Sequence, residues 1–290
     1  MSSRNPSPSE PAAGVLYLVG TPIGNRGDLS PRARFVLEGV DRIACEDTRH
    51  SGQLLAGFAI RGRLVSFHQH NQQARVPELV AALEAGESLA VISDAGLPGI
   101  SDPGELLVAA VRAAGLPVIC IPGPCAVTTA LVSSGLPCGR FCFEGFLPAR
   151  SGPRRQALQE LAAEPRTLVL FEAPHRLVEL LEDLLDLLGD RPLQVARELT
   201  KRHEEQIGPT VSAALEHFRR VPPRGECTLV LGGAPAPDLP RWSEADLKKQ
   251  LVERVAAGLS SRDAARQLAA ETGLPRRDLY ALLHEGEPRH

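Results

Sequence analysis

Leu89-Ala90-Val91-Ile92-Ser93-Asp94-Ala95-Gly96-Leu97-Pro98-Gly99-Ile100-Ser101-Asp102-Pro103-Gly104 decides the fold. Its first four residues are all apolar, as in a strand covered on both faces. The run then breaks into a loop of Gly, Pro, Ser and Asp. Open α/β sheets place their ligands outside the carboxyl ends of the strands, so such a loop is a place for chemistry. The arrangement occurs twice more upstream. Val15–Val19 precedes Gly20-Thr21-Pro22-Ile23-Gly24-Asn25, and Arg42–Cys45 precedes Glu46-Asp47-Thr48-Arg49-His50-Ser51-Gly52. Three such loops in one domain point at one shared pocket.

Working outward, apolar runs at 15–19, 42–45, 64–67, 89–92 and 118–121 alternate with helical spacing at 31–39, 51–58, 74–85 and 104–114. Repeated β-α-β units predict a mostly parallel sheet in an N-terminal domain, 14–123. Ser30-Pro31 reads as a helix start, and Asp102-Pro103 offers the same signature. Gly86 and Gly115 sit where helices should stop. Pro122-Gly123-Pro124 marks a domain seam. A second α/β domain, 124–233, reads as a helix at 125–134 and strands near 141–143, 167–171, 194–199, 204–207 and 227–231. Helices at 153–163, 174–188 and 210–219 complete it, around a mixed sheet. Residues 1–13 read as a disordered tail, and Pro-rich 234–242 as a stiff linker. The stretch 243–290 reads as three short helices with helix-turn-helix spacing.

The composition is that of a soluble globular chain: 290 residues, 43% hydrophobic, 23% charged, formal net charge −3. No apolar run reaches the roughly 20 residues of a membrane helix, and a cytoplasmic location is expected. The overall charge gives no basic field for nucleic acid, which leaves local patches such as Arg150, Arg154 and Arg155, or Arg197, Lys201, Arg202 and His203. Six cysteines include no C-x-x-C pair and read as small buried hydrophobes, so no metal is expected. The first loop is neither G-x-G-x-x-G nor a P-loop, which disfavours a nicotinamide enzyme or an NTPase. Asp94 and Asp102 fit an adenosyl and ribose cradle, or turn and cap chemistry. Glu46, Asp47, Arg49 and His50 crowd acid and cation into one turn, and His68, His70 and Asn71 follow their strand similarly.

The ordered set Gly20–Asn25, Glu46–His50, Ser93–Gly96, Ser101–Gly104, Pro122–Pro124, Phe143–Pro148, Phe171–Arg176 and Ala196–Lys201 resembles the tetrapyrrole methylase family, in its branch acting on ribosomal RNA. The resemblance spans about 15–232. It implies a two-domain tetrapyrrole-methylase-like α/β fold, with the helical tail expected in many members. It implies S-adenosylmethionine in the cleft between domains, a homodimer, and 2′-O-methylation of a cytidine ribose in the decoding region of 16S rRNA in the small ribosomal subunit. Asp94, Ala95, Gly96, Ile100, Ser101, Ala126, Phe171, Glu172, Arg197, Gly225, Glu226 and Cys227 match cofactor-cleft positions. Arg49, His68, Asn71, Glu198 and Lys201 are the catalytic candidates on the acceptor side. Leu97 stands where the family usually has Thr, and Cys125 and Ala173 where it has Ser. Two other readings stand beside this one. A small-molecule tetrapyrrole methylase would use the same cleft, and a non-enzymatic nucleic-acid adapter would use the tail.

Overall fold

A computed structural model describes residues 11–235 and 242–284. Most of the expected tail and linker, 1–10 and 236–241, and the terminal 285–290 lie outside the described residues. The chain forms two compact units, Met1–Ala234 and Pro235–His290.

The first unit contains two sheets. Strands β1 (Leu16–Val19), β2 (Arg42–Cys45), β3 (Leu64–Ser66), β4 (Leu89–Val91) and β5 (Val118–Ile121) pair in parallel in the order β3-β2-β4-β1-β5. Successive side chains leave opposite faces of a strand, so each strand feeds two cores. Tyr17, Val19, Ile43 and Cys45 meet helices α1 (Pro31–Gly39) and α2 (Thr48–Ala56). Leu16, Ala44, Leu89 and Val91 meet α3 (Gln72–Glu84) and α4 (Glu105–Ala113) on the other face. The apolar runs are continuous because both faces are covered.

Local chemistry sets the helix starts. The Ser30 hydroxyl accepts from the Ala33 amide at 3.0 Å, a cap worth about 1 kcal/mol. The Asp47 carboxylate accepts from the amides of Arg49 and His50 and starts α2. The helix start expected at Asp102-Pro103 is corrected: the cap position is Gly104, at φ 152°, and α4 begins at Glu105. Pro103 biases Asp102 away from helical geometry, and the glycine makes the turn instead. The cysteine reading also needs correction. Cys45 and Cys227 are buried, but Cys120 and Cys138 are exposed. Cys120 lies on β5, an edge strand of its sheet.

Parallel strands bring all five carboxyl ends to one edge, so the loops after β3, β2, β4 and β1 lie side by side. Thr21 and Gly96 exchange backbone hydrogen bonds of 2.9 and 3.1 Å and tie the β1 loop to the β4 loop. The β1 and β5 loops touch backbone to backbone: a Cβ on Gly20 would stand 3.0 Å from the Gly123 Cα.

The second sheet holds β6 (Phe141–Phe146), β7 (Thr167–Glu172), β8 (Leu193–Arg197), β9 (Glu205–Ile207) and β10 (Cys227–Leu231), in the order β6-β7-β10-β8-β9. β6 and β7 are parallel and the other pairs antiparallel. Helices α6 (Ser151–Glu160), α7 (Leu177–Leu188) and α8 (Val211–Arg220) flank the sheet. On α7, Leu177, Leu180, Leu181, Leu184 and Leu188 form the buried stripe. Asp183 beside it accepts from Arg154 Nε at 2.7 Å. On the other sheet face, α5 (Ala126–Ser133) buries Val127, Ala130 and Leu131 against Val169, Ala196 and Val230. Ile23 from the β1 loop joins that cluster, so the first sheet's loop is pinned to the second sheet.

The second unit is α9 (Glu244–Ala256), α10 (Ser261–Thr272) and α11 (Arg276–His284), around Leu247, Leu251, Ala264, Ala265, Leu268 and Leu279. Gly273 ends α10 in the left-handed conformation at φ 70°.

Candidate functional site

The loops after β2 and β4 form one wall of a cleft of about 470 Å³, and the ends of β7, β10 and α5 form the other. Glu46 comes from the β2 end. Asp94, Ala95, Gly96, Leu97, Ile100, Ser101 and Asp102 come from the β4 loop. Register explains the facing wall. Cys227 at the start of β10 pairs with Glu172 at the end of β7 and with Arg197 at the end of β8, so these three form one row. Glu172 and Cys227 line the cleft, with Phe171 and Thr228 from the adjacent row. Phe171 packs edge-on against Phe143 at 5.0 Å and lies 5.5 Å from Phe146.

Gly96 takes φ +87°, a conformation that L side chains rarely adopt, and a Cβ there would stand 3.3 Å from Ile23 Cγ2. Ser93, buried beneath the loop, bonds to the Gly96 carbonyl at 3.1 Å. The loop is therefore held from below, with its backbone facing the cleft.

The cleft is acidic. Glu46, Asp94, Asp102, Glu172 and Glu226 line it, and no Lys or Arg is among its described lining residues. Burial pushes the Asp102 carboxyl up to about 6, and the neighbouring Glu46 charge adds to the shift. Burial likewise raises Glu172, whose side chain is fully shielded from solvent. Its Oε1 accepts from the Ala173 amide at 2.8 Å and meets Arg176 Nε at 3.2 Å, while its Oε2 is buried without a partner. Asp94 Oδ1 is also buried and unpartnered.

This donor set fits an adenosyl sulfonium. The apolar surface of Ile23, Leu97, Ile100, Phe146 and Phe171 suits a base. The unpaired carboxylate oxygens suit ribose hydroxyls, an ammonium or amino hydrogens. The carboxylates favour a cationic ligand and would repel the phosphates of a nucleotide. Among the described residues no cluster of His, Cys, Asp and Glu could hold a metal ion.

The expected cofactor residues Asp94, Ala95, Gly96, Ile100, Ser101, Ala126, Phe171, Glu172, Glu226 and Cys227 all line this cleft. Arg197 and Gly225 do not. Arg197 is turned to Glu205 and to the Arg224 carbonyl, and Gly225 lies directly against the Glu198 side chain. None of the five acceptor-side candidates lines the cleft. Arg49 is exposed on the first turn of α2. Asn71 is spent on its own turn, accepting from the His68 amide and donating to the Ser66 carbonyl. His68 buries Nδ1 without a partner and packs its ring against His70. Glu198 and Lys201 form a network with Glu226: Lys201 Nζ lies 2.9 Å from Glu198 and 2.8 Å from Glu226. The same loop packs on Gly24, where a Cβ would collide with the Lys201 stem.

Ile23, Phe146, Pro174 and Thr228 line the cleft without having been singled out by the sequence. Ile23, Phe146 and Pro174 lie inside motifs that carry the family resemblance, so proximity was a usable signal for them, whereas Thr228 lies outside every such motif. Phe146 follows a bulge between Phe143 and Gly145 that breaks the strand's alternation, which left no periodic signal.

A family model described as Tetrapyrrole (Corrin/Porphyrin) Methylases matches residues 15–215, and one described as RsmI C-terminal HTH domain matches 243–287. The chain is 53% identical over 275 residues to a protein of Synechocystis named Ribosomal RNA small subunit methyltransferase I, covering 94% of this chain and 99% of that one. A protein of the same name from Escherichia coli O157:H7 is 45% identical over 273 residues, covering 92% of this chain and 93% of its own. Among solved structures, uroporphyrin-III-C-methyltransferase from Thermus thermophilus superposes with a TM-score of 0.54 at 26% identity, over 76% of this chain and 94% of that one. The chain belongs to the tetrapyrrole methylase family and is an S-adenosylmethionine-dependent methyltransferase.

Proposed function

We propose that this methyltransferase modifies the ribose 2′-hydroxyl of a cytidine in the decoding region of 16S rRNA, acting on the small ribosomal subunit. The observation that carries this is the similarity to proteins named for small-subunit rRNA methylation, which runs the length of the chain and includes the helical unit. In this reading the catalytic body divides at 14–123 and 124–233. The protein works in the cytoplasm as a homodimer, and 243–290 serves the RNA.

Bound S-adenosylmethionine supplies an electrophilic methyl group on a sulfonium. The Asp94-Ala95-Gly96 backbone would hold its ribose and methionine portion, and Phe171 would pack on the base. Glu172 Oε2 and Asp94 Oδ1 gain the partners they lack. Positioning supplies much of the rate, because oxygen, methyl carbon and sulfur must be collinear. Of the five acceptor-side candidates, Glu198 and Lys201 are those whose side chains reach a cleft residue, through Glu226. We place the acceptor oxygen at that rim, where the Lys201 ammonium, held by Glu198 and Glu226, would steady the developing alkoxide while the hydroxyl proton passes to bulk solvent. Arg49 is exposed, its side chain interacts with the Asp47 carboxylate only through its charge, and it clamps an RNA phosphate.

The test offers the protein labelled cofactor with either small ribosomal subunits or uroporphyrinogen III. Label in the particle's RNA alone supports the proposal. Label in the tetrapyrrole alone would establish the small-molecule reading, and failure to bind the cofactor would leave only the adapter.

A further inference from the structure

The helical unit carries a second concavity, of about 420 Å³, which the catalytic cleft does not explain. It is lined by Arg262, Arg276, Arg277 and Tyr280. Arg262 stands on the first turn of α10, and the other three on the first two turns of α11. The short turn at 273–275 returns α11 against α10, and the four side chains line one concavity.

The cations are not consumed by neighbouring acids. Arg262 and Arg276 make no hydrogen bond or ion pair among the described residues. Arg277 meets Asp278 only at 3.5 Å and is almost fully exposed. The other acids nearby are engaged elsewhere. Asp263 bonds to Ser260 and pairs with Arg266 at 2.7 Å, and Glu271 pairs with Arg254 at 2.6 Å. Three guanidinium groups around one hollow repel one another, and an anion relieves that repulsion. Guanidinium forks match the oxygens of a phosphate in pairs. The Tyr280 ring packs against His284 at 4.7 Å and leaves its exposed remainder to a base or sugar. In a helix-turn-helix the first residues of the second helix face the nucleic acid, which is where Arg276 and Arg277 stand.

We propose that Arg262, Arg276, Arg277 and Tyr280 form a binding site for the phosphodiester backbone of the RNA substrate. The site rests on the reading that the protein acts on ribosomal RNA, and it goes further by assigning which residues grip the strand.

The test uses the full chain and a fluorescent RNA hairpin of decoding-region sequence, titrated between 50 and 200 mM salt. The variants are Arg262→Gln, Arg276→Gln, their double, and Arg266→Gln as a paired cation outside the pocket. Circular dichroism and cofactor affinity confirm that each remains folded. The double variant should bind the hairpin about tenfold more weakly at low salt. Its log K against log salt slope should fall by about 1.4–1.8, one phosphate per arginine. Arg266→Gln should match the unaltered protein. Unchanged affinity and slope in the double variant overturn the proposal, as does an unaltered protein that does not bind the hairpin. A double variant that loses affinity for intact small subunits but not for the hairpin also overturns it, because the pocket then grips a ribosomal protein. Methylation of ribosomal RNA by the unaltered protein is scored in parallel. Its absence overturns the functional reading, whereas hairpin affinity reports on the pocket.

Discussion

Asp102 carries a consequence that a pH series can read. Its carboxyl is raised to about 6 by burial and by Glu46, with Asp94 adding to the shift and Ser93 opposing it. A cationic ligand favours the ionised form, so cofactor binding should strengthen as pH rises through about 6. Asp102→Asn should flatten that dependence while leaving the fold intact. Calorimetric titration at pH 5, 6 and 7.5 measures it, and affinity independent of pH in the unaltered protein contradicts it. In the ligand-free protein the sign is opposite. The folded state holds this proton more tightly than the unfolded chain, so the group's contribution to stability grows as pH falls from about 6 toward 3.8. The acceptor side separates by kinetics. Arg49→Ala should weaken RNA affinity and lower its salt slope by about one charge. Lys201→Ala should slow methyl transfer at saturating RNA with affinity little changed, because it removes the cation bonded to Glu226. Full activity in both variants would show that the acceptor site lies elsewhere. The sequence brought these residues into view as charged clusters. It could not show that Asn71 closes its own turn or that Lys201 reaches Glu226, because those are contacts of folded loops.

Among the elements, α7 and the β4 loop bear opposite loads. α7 is structural: Leu184 is fully buried between sheet and helix, and Leu184→Ala should cost about 2–5 kcal/mol in denaturant unfolding. Removing Arg154 would leave Asp183 with Arg155 as its remaining 2.7 Å partner, so the cost should fall below the about 3–5 kcal/mol of a buried charge left unpaired. Leu184 lies off the cleft, so cofactor affinity of the folded fraction should survive its truncation, whereas the Arg154 charge also acts on Glu172 in the cleft wall. The β4 loop is the reverse case. Gly96→Val places a branched side chain at φ +87° and 3.3 Å from Ile23, and should abolish cofactor binding in a protein that still folds. Binding retained by that variant would move the ligand off this loop. The strands of the first sheet were legible as continuous apolar runs because both their faces are covered. The helix starts were less so. Ser30 caps α1 as its sequence implies, but Asp102-Pro103 carries the same signature and caps nothing, because Gly104 makes the turn.

At the scale of the whole molecule, the proposal assigns the cofactor to the first unit and the RNA to the second. Ending the chain after Ala234 removes no residue that lines the cleft, so cofactor affinity should hold while affinity for ribosomal substrate falls. Loss of cofactor binding in the shortened protein would make the helical unit a structural part of the catalytic body. The shared edge of the first sheet was legible from three loops following three apolar runs. The facing wall was harder to read, since Glu172 and Cys227 meet only through antiparallel register between distant strands. The central claim is the ribose hydroxyl as acceptor. Its most direct test is nucleoside mass analysis of small-subunit RNA after reaction with labelled cofactor. The account predicts the label in 2′-O-methylcytidine at a single site in the decoding region. Label on a base, on another nucleoside or nowhere in the RNA would contradict it.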